Sequence, residues 1–159
     1  MTTTIKNCFC GNQFTFKKCC GPIIGGEINA VNAEALMRSR FSAYVLKKYP
    51  YILQTYAPTQ RSKLSENELA DNAQDTHWLT LQVLSHQYQQ KTAQVEFKAF
   101  YKIGHFYYVM HELSNFIFEQ EKWFYTNGVI QKGSGDYTPQ RNSQCLCSSG
   151  KKFKKCCGR

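Results

Sequence analysis

Hydrophobic residues recur along the chain with two different periods, and the first of these periods is helical. Between residues 32 and 48, apolar side chains return about every four positions, at Met37, Phe41 and Val45. Such spacing places them on one face of an α-helix, and Asn32 just before the run is a suitable N-cap. The sequence therefore predicts an amphipathic helix over residues 32–48.

Two shorter helices are predicted between this helix and the next type of pattern. Pro50 suits the first turn of one of them, and Pro58 predicts its end after Tyr56. The segment Ser65–Glu68 has the form of a capping box, in which a serine and a glutamate three residues later satisfy each other's backbone N–H groups. It predicts a third helix that ends at about Asn72.

Beyond these helices the period shortens to two, which is typical of half-buried strands. Ala93, Val95 and Phe97 face one way, while the intervening Gln94 and Glu96 face the other. The same reasoning predicts strands over residues 79–83, 93–102, 106–118 and 123–130. Because the helices come first and antiparallel strands follow, the predicted fold class is α+β.

All eight cysteines lie outside this patterned region, in two copies of one motif. The two copies share the spacing C-x-C-x8-C-C, and in both the second pair follows two lysines and precedes a glycine. Repetition of one spacing and its flanking residues indicates two related modules. The cysteines are Cys8, Cys10, Cys19 and Cys20 in the first copy, and Cys145, Cys147, Cys156 and Cys157 in the second.

The spacing of these cysteines favours a metal ion over disulfide bonds. A tight turn can bring two thiolates one residue apart toward one ion, and a short loop can return a second pair to complete a tetrahedron. Four thiolates form the closed arrangement of structural zinc, with no open position for a substrate; iron is the alternative metal. Disulfides are rare in a reducing cytoplasm, and the C-x-x-C pattern of redox-active thiols is absent.

Charge follows the same division of the chain into three parts. The chain of 159 residues has a net charge of +9, of which residues 1–26 contribute +3, residues 27–133 contribute +1 and residues 134–159 contribute +5. The sequence thus predicts an N-terminal metal module over residues 1–26, an α+β domain over residues 27–133, and a C-terminal metal module over residues 134–159. No secretory signal and no membrane-spanning run are recognisable, so the expected location is the cytoplasm.

The second cysteine motif, from Gln144 to Gly158, resembles the SEC-C motif, which is the zinc-binding tail of the SecA translocation ATPase. In SecA this tail binds the export chaperone SecB. The first motif, from Asn7 to Gly21, resembles a more divergent copy, in which residues 11–15 replace the usual Gly-Ser-Gly-Lys-Lys. With Ala33–Ala43 between them, the whole chain resembles the YchJ-like family of bacterial SEC-C proteins. This resemblance implies metal binding at both ends and an NTF2-like middle domain, a curved antiparallel sheet with helices packed across its concave side.

Basic residues beside the second motif predict a surface for an acidic partner. Such a surface suits an export chaperone, a ribosomal component or nucleic acid; the alternative is that the charge offsets that of the thiolates and is solvated. Phe153 is the one aromatic residue placed among these lysines to stack on nucleic-acid bases. The residues concerned are Lys151, Lys152, Lys154 and Lys155.

A pocket in the middle domain is the second candidate site. His111 and Glu112 are neighbours in a predicted strand, so their side chains point to opposite faces, and Glu112 shares its face with aromatic residues. Arg38 or Arg40 on the first helix is expected to pair with an acid in the core, leaving the other in water. Glu112 could act as a general base or as a structural acid, but no nucleophile, phosphate loop or triad accompanies it.

Three functions are consistent with these patterns. The favoured one is a metal-dependent interaction protein whose basic modules meet a protein or ribosomal partner. The second is a small-molecule-binding protein or enzyme that uses an NTF2-like cavity, with Arg38, His111 and Glu112 as the residues of a possible pocket. The third is nucleic-acid binding through the C-terminal module. The partner, any substrate and the oligomeric state are not specified by the sequence.

Overall fold

The computed structural model describes residues 6–159 and places helices before strands, as the patterns predict. The helices end at residue 72, and every strand but the last belongs to one antiparallel meander. Their bounds are α1 Cys20–Ile24, α2 Ala33–Val45, α3 Tyr49–Thr55, α4 Pro58–Arg61, α5 Glu66–Asn72, β1 His77–Gln89, β2 Thr92–Ile103, β3 Phe106–Glu119, β4 Lys122–Ile130 and β5 Gly135–Tyr137.

The strand β3 is shared by two neighbours on the same side. Its second half, from Glu112 onward, pairs with β4, and its first half pairs with β5 through Tyr107–Val109. Its other edge is paired with β2 from Phe106 to Ile117, and β2 in turn pairs with β1. Register shifts in the β1–β2 and β3–β4 pairs increase the local twist, as bulges do, and curve the sheet.

The core lies between the concave face of this sheet and α2. Ala93, Val95, Phe97 and Ala99 of β2 are all buried on that face, while the alternate residues are half-buried or exposed. Phe41 of α2 packs into the same cluster. The period-two prediction for β2 is thus confirmed, and so is the α+β class.

Local signals for helix ends are confirmed in detail. The Asn32 side chain accepts a hydrogen bond from the Ala35 N–H at 2.7 Å, and Ser65 and Glu68 make both bonds of the capping box. Pro58 follows the end of α3, whose C-cap is Tyr56, as predicted, and it also opens the short helix α4, which was not predicted. Proline lacks the N–H that the first turn leaves unpaired, so it suits this position as well as a stop.

The boundaries between the three predicted parts remain predictions. Two contacts cross them: Cys8, Cys10 and Cys20 belong to the same buried cluster as Phe97, and β5 lies beyond residue 133 but pairs with β3. Residues 1–5 of the predicted N-terminal module lie outside the described residues. Within residues 6–159, no helix is long and apolar enough to cross a membrane.

Candidate metal centres

The N-terminal module folds as a short turn closed by backbone hydrogen bonds. Cys8 N–H donates to the Phe14 carbonyl at 2.8 Å, and Gly11 N–H donates to the Cys8 carbonyl at 3.1 Å. Gly11 has a φ of +89°, in the region that glycine adopts at no steric cost. A 3-10 turn over Phe16–Lys18 then brings Cys19 and Cys20 back toward the first pair.

The C-terminal module repeats this architecture bond for bond. Cys145 N–H donates to the Lys151 carbonyl at 2.8 Å, and Ser148 N–H donates to the Cys145 carbonyl at 3.2 Å. A 3-10 turn over Phe153–Lys155 precedes its second cysteine pair. The position equivalent to Gly11 is Ser148, which holds a φ of +62° despite its side chain.

Each module gathers four sulfur atoms into a space that fits one ion. The four Sγ atoms lie within 4.8 Å of one another in both clusters. Sγ–Sγ distances are 3.6 Å for Cys10–Cys19 and 3.4 Å for Cys147–Cys156. A zinc ion with Zn–S bonds of about 2.3 Å has ligand sulfurs about 3.8 Å apart in a regular tetrahedron. Both clusters can therefore hold a metal ion, and the donor set suits zinc.

The titration of the thiols is strongly perturbed because they lie so close together. Hydrogen bonds from Cys10 and Cys20 lower the pKa of Cys8 far below its usual value. In the C-terminal module, burial raises the pKa of Cys147, but hydrogen bonds from Ser149 and the neighbouring thiols bring it down to about 6. The pKa of Cys20 is raised instead by hydrogen bonds with Cys10 and Cys8, and a hydrogen bond with Cys145 raises that of Cys157 to about 12. Each cluster thus contains one thiol that ionises readily, Cys8 or Cys147, beside others that keep their protons, and the thiolate is the metal-binding form of cysteine.

The N-terminal cluster is largely buried, and polar side chains of α2 contact it. Cys10 is fully buried, and its carbonyl accepts a hydrogen bond from Arg38 Nη1 at 2.8 Å. The Ser42 hydroxyl lies 3.7 Å from Cys8 Sγ. Contacts of this kind orient metal ligands from behind. The chain uses α2 of the middle domain to support this cluster.

The C-terminal cluster is open to solvent on the side of its second cysteine pair. Cys157 is exposed, and Cys147 and Cys156 are half-buried. Lys151, Lys152 and Lys155 are exposed around it, whereas Lys154 is half-buried. Phe153 is occupied by an edge-to-face contact with Tyr107 at 5.7 Å between ring centres. This contact anchors the module to β3.

The residues proposed for a pocket separate in the structure. Glu112 lines a cavity on the concave face, but Arg38 and His111 do not. Arg38 instead donates a hydrogen bond to the Cys10 carbonyl, and its Nη2 lies 3.8 Å from Glu34 Oε1. His111 points to the other face, where its Nε2 lies 2.8 Å from the Glu96 carboxylate, because adjacent residues of a strand face opposite ways.

The expected pairing of an α2 arginine with a core acid is wrong within the described residues. Arg40, not Arg38, lines the cavity beside Glu112, yet no carboxylate lies within 4.0 Å of its guanidinium. It is held between the rings of Tyr56 and Tyr125. Residues two apart on a helix point about 200° apart, which correctly predicts that the two arginines face different surroundings. The sequence does not reveal that Arg40 packs against an aromatic residue of β4, Tyr125.

Comparison with known families assigns two of the three predicted parts and confirms the NTF2-like middle domain. Residues 32–128 match the family model of the YchJ middle NTF2-like domain, and residues 141–159 match that of the SEC-C motif. The chain belongs to this YchJ-like family of SEC-C motif proteins.

Relatives extend over nearly the whole chain. A UPF0225 protein of Actinobacillus succinogenes is 37% identical over 95% of this chain and 96% of its own length. A UPF0225 protein of Shewanella sp. strain MR-4 is 40% identical over 96% of both chains. A SEC-C motif containing protein from Psychrobacter arcticus is 32% identical, with a TM-score of 0.70 over 99% of this chain and 98% of its own. A SEC-C motif containing protein from Rhodopseudomonas palustris, also 32% identical, has a TM-score of 0.76 over 80% of this chain and 100% of its own.

Proposed function

We propose that this protein is a zinc-dependent interaction protein of the cytoplasm, in which one metal module stabilises the fold and the other meets a partner. The observation that supports this is the unequal burial of two clusters with the same geometry. Cys10 and Cys20 are at most 1% exposed, whereas Cys157 is exposed among lysines. A closed set of four thiolates leaves no position for catalysis, so the metal has a structural role in both.

The exposed module suits an acidic protein surface. Lys151, Lys152 and Lys155 point into solvent on one short segment, and Arg141 and Arg159 flank it. Such a cluster raises the rate of encounter with acidic partners and fixes their orientation. An export chaperone or a ribosomal component is the kind of partner proposed. Nucleic acid has less support, because Phe153 packs against Tyr107 and bases stack on accessible rings.

Metal content is the first experiment. Protein purified without oxygen should contain about two zinc ions per chain by mass spectrometry, and about one after either Cys8→Ser/Cys10→Ser or Cys145→Ser/Cys147→Ser. Two iron ions in place of zinc would correct the identity of the metal. Protein without metal and with oxidised thiols would contradict the proposal.

Partner binding is tested with zinc-loaded, full-length protein immobilised on a surface. Lys151→Glu/Lys152→Glu/Lys155→Glu should abolish retention of ribosomes or of an acidic chaperone while both zinc ions remain bound. Lys17→Glu/Lys18→Glu, in the equivalent stretch of the N-terminal module, is the matched control and should retain them. Equal loss in both variants, or retention that depends on nuclease-sensitive nucleic acid alone, would refute a protein-binding C-terminal module.

A further inference from the structure

The concave face of the sheet encloses a second site, which uses no cysteine. A cavity of about 340 Å³ lies between α2, α5 and strands β1–β4. Pockets that bind small molecules have volumes of this order and mostly apolar walls. The apolar walls here are formed by Met37, Phe41, Trp78, Phe97, Ala99 and Met110.

One polar group in the cavity is the guanidinium of Arg40. The residue is 4% exposed, and its Cζ lies 4.6 Å from the centre of the Tyr56 ring and 4.2 Å from that of Tyr125. Two of its hydrogen bonds, to the Thr55 hydroxyl and the Ile52 carbonyl, use Nη1, and Tyr56 makes a further side-chain hydrogen bond to the guanidinium. The N–H groups that remain are available to a ligand in the cavity that this residue lines.

The second polar group is the carboxyl of Glu112, which is 8% exposed. Its Oε1 accepts hydrogen bonds from the Ser114 hydroxyl at 2.7 Å and the Tyr125 hydroxyl at 2.9 Å. Burial, and then the charge of Glu112, raise the pKa of Tyr125, so this phenol stays protonated and donates. Within the described residues, no hydrogen bond reaches Oε2.

The sheet is shaped to accommodate this carboxyl. A Cβ atom at position 128 would lie 1.8 Å from Glu112 Oε1 and 2.3 Å from its carboxyl carbon, so any larger residue there would displace the carboxyl from its present position. A glycine inside a strand weakens it and often marks a close approach. Gly128 therefore indicates that the position of Glu112 is a built feature of the fold.

We propose that this cavity binds a small, uncharged organic molecule with an apolar body and an amide-like edge. Its carbonyl oxygen accepts from Arg40 and its N–H donates to Glu112 Oε2. An anion would pair with Arg40 but be repelled by Glu112, whereas a cation would pair with Glu112 but be repelled by Arg40. An uncharged donor–acceptor edge completes both buried groups at once. This site requires neither the metal nor the partner of the C-terminal module.

The test uses three probes with one ring and different charges: benzamide, benzoate and benzylamine. They are titrated into zinc-loaded, full-length protein while backbone amide shifts are followed by NMR. Benzamide should bind in the millimolar range expected for so small a ligand, and about tenfold more tightly than either charged analogue. Shifts should map to residues lining the cavity. Failure of benzamide to bind, or equal affinity for all three probes, would overturn the proposal.

Glu112→Gln provides the decisive variant because it changes one atom. The amide oxygen can still accept from Ser114 and Tyr125, while the free oxygen becomes an N–H donor. Benzamide should bind about tenfold more weakly and benzoate more tightly, and unchanged preference would overturn the assignment of Glu112. If this variant does not fold, Ala73→Leu at the rim of the cavity should abolish benzamide binding by filling it. Unchanged benzamide affinity in that variant would overturn the location.

Discussion

The two metal modules have the same internal bonds and opposite relations to the rest of the molecule. In the N-terminal module, three of four cysteines are buried in the main core and Arg38 supports the ligand loop from α2. In the C-terminal module, Cys145 is the one buried cysteine and Phe153 makes an edge-to-face contact with Tyr107. The comparison teaches that a metal site becomes part of a fold, or an appendage to it, through its surroundings. The ligand geometry is the same in both.

The largest expected effect comes from removing one equivalent ligand in each module. Cys10→Ser should lower the free energy of unfolding by at least about 3 kcal/mol, or the unfolding midpoint by about 10 °C, because metal binding and core packing are lost together. Cys147→Ser should shift the main transition by less than about 2 °C. Calorimetry on both variants checks this, and equal shifts would break the comparison.

Release of the two ions should also differ, by about tenfold or more in rate. An exposed site is open to direct attack by a chelator, whereas the buried one must wait for local opening of the core. An excess of a colorimetric zinc chelator should show one fast and one slow ion of equal amount. Cys147→Ser is the control, in which only the slow ion should remain. Release of both ions in a single kinetic phase would contradict the expected effect of burial on release.

Removal of the Arg38 support should have a smaller effect, confined to the N-terminal module. Arg38→Ala should lower the free energy of unfolding by about 1–3 kcal/mol, because the Cys10 carbonyl loses a charged donor. It should also speed release of the slow ion. Urea unfolding measures the first effect, and Lys152→Ala at the exposed module is a control expected to be neutral. An unchanged rate of slow release would show that Arg38 does not support this ion.

The smallest expected effects come from exchanging the two turn residues between modules. Ser148→Gly should relieve a positive φ and tighten zinc binding at the C-terminal site by a few-fold, or about 0.5–1 kcal/mol. Gly11→Ser should weaken the N-terminal module more than this, because a Cβ there would lie 3.3 Å from the Leu81 carbonyl oxygen. Competitive zinc titration measures both. A tighter N-terminal site in Gly11→Ser would contradict the role of this glycine.

Local sequence patterns predict those structural features that depend on residues close together in the chain. The capping box at Ser65, the strand alternation around Phe97 and the cysteine spacing all depend on residues a few positions apart. The unequal burial of the two modules depends on α2, which meets one module and not the other, and no local pattern encodes that. The repeat predicted two related metal sites, and packing gave them different surroundings.

Contacts in the cavity mark a second limit of sequence reasoning. The parity of Glu112 within β3 placed it correctly on the concave face, but its bond to Tyr125 comes from another strand. Gly128 is the sequence signal that could have indicated the position of Glu112, since a glycine within a predicted strand often marks the close approach of another group. The position of Arg40 between Tyr56 and Tyr125 could not be predicted, because both tyrosines are distant from it in the chain.

The order of synthesis gives the buried module a further consequence. Cys8 to Cys20 span 13 residues, so this segment can close around an ion before any strand of the sheet has been made. Arg38 and Ser42 follow within the next 22 residues, and α2 then has a metal-bound surface on which to dock. Strands added later can pack against a surface that already contains Cys8, Cys10 and Phe41, so we expect early closure of this module to shorten the time that apolar surface remains exposed to aggregation.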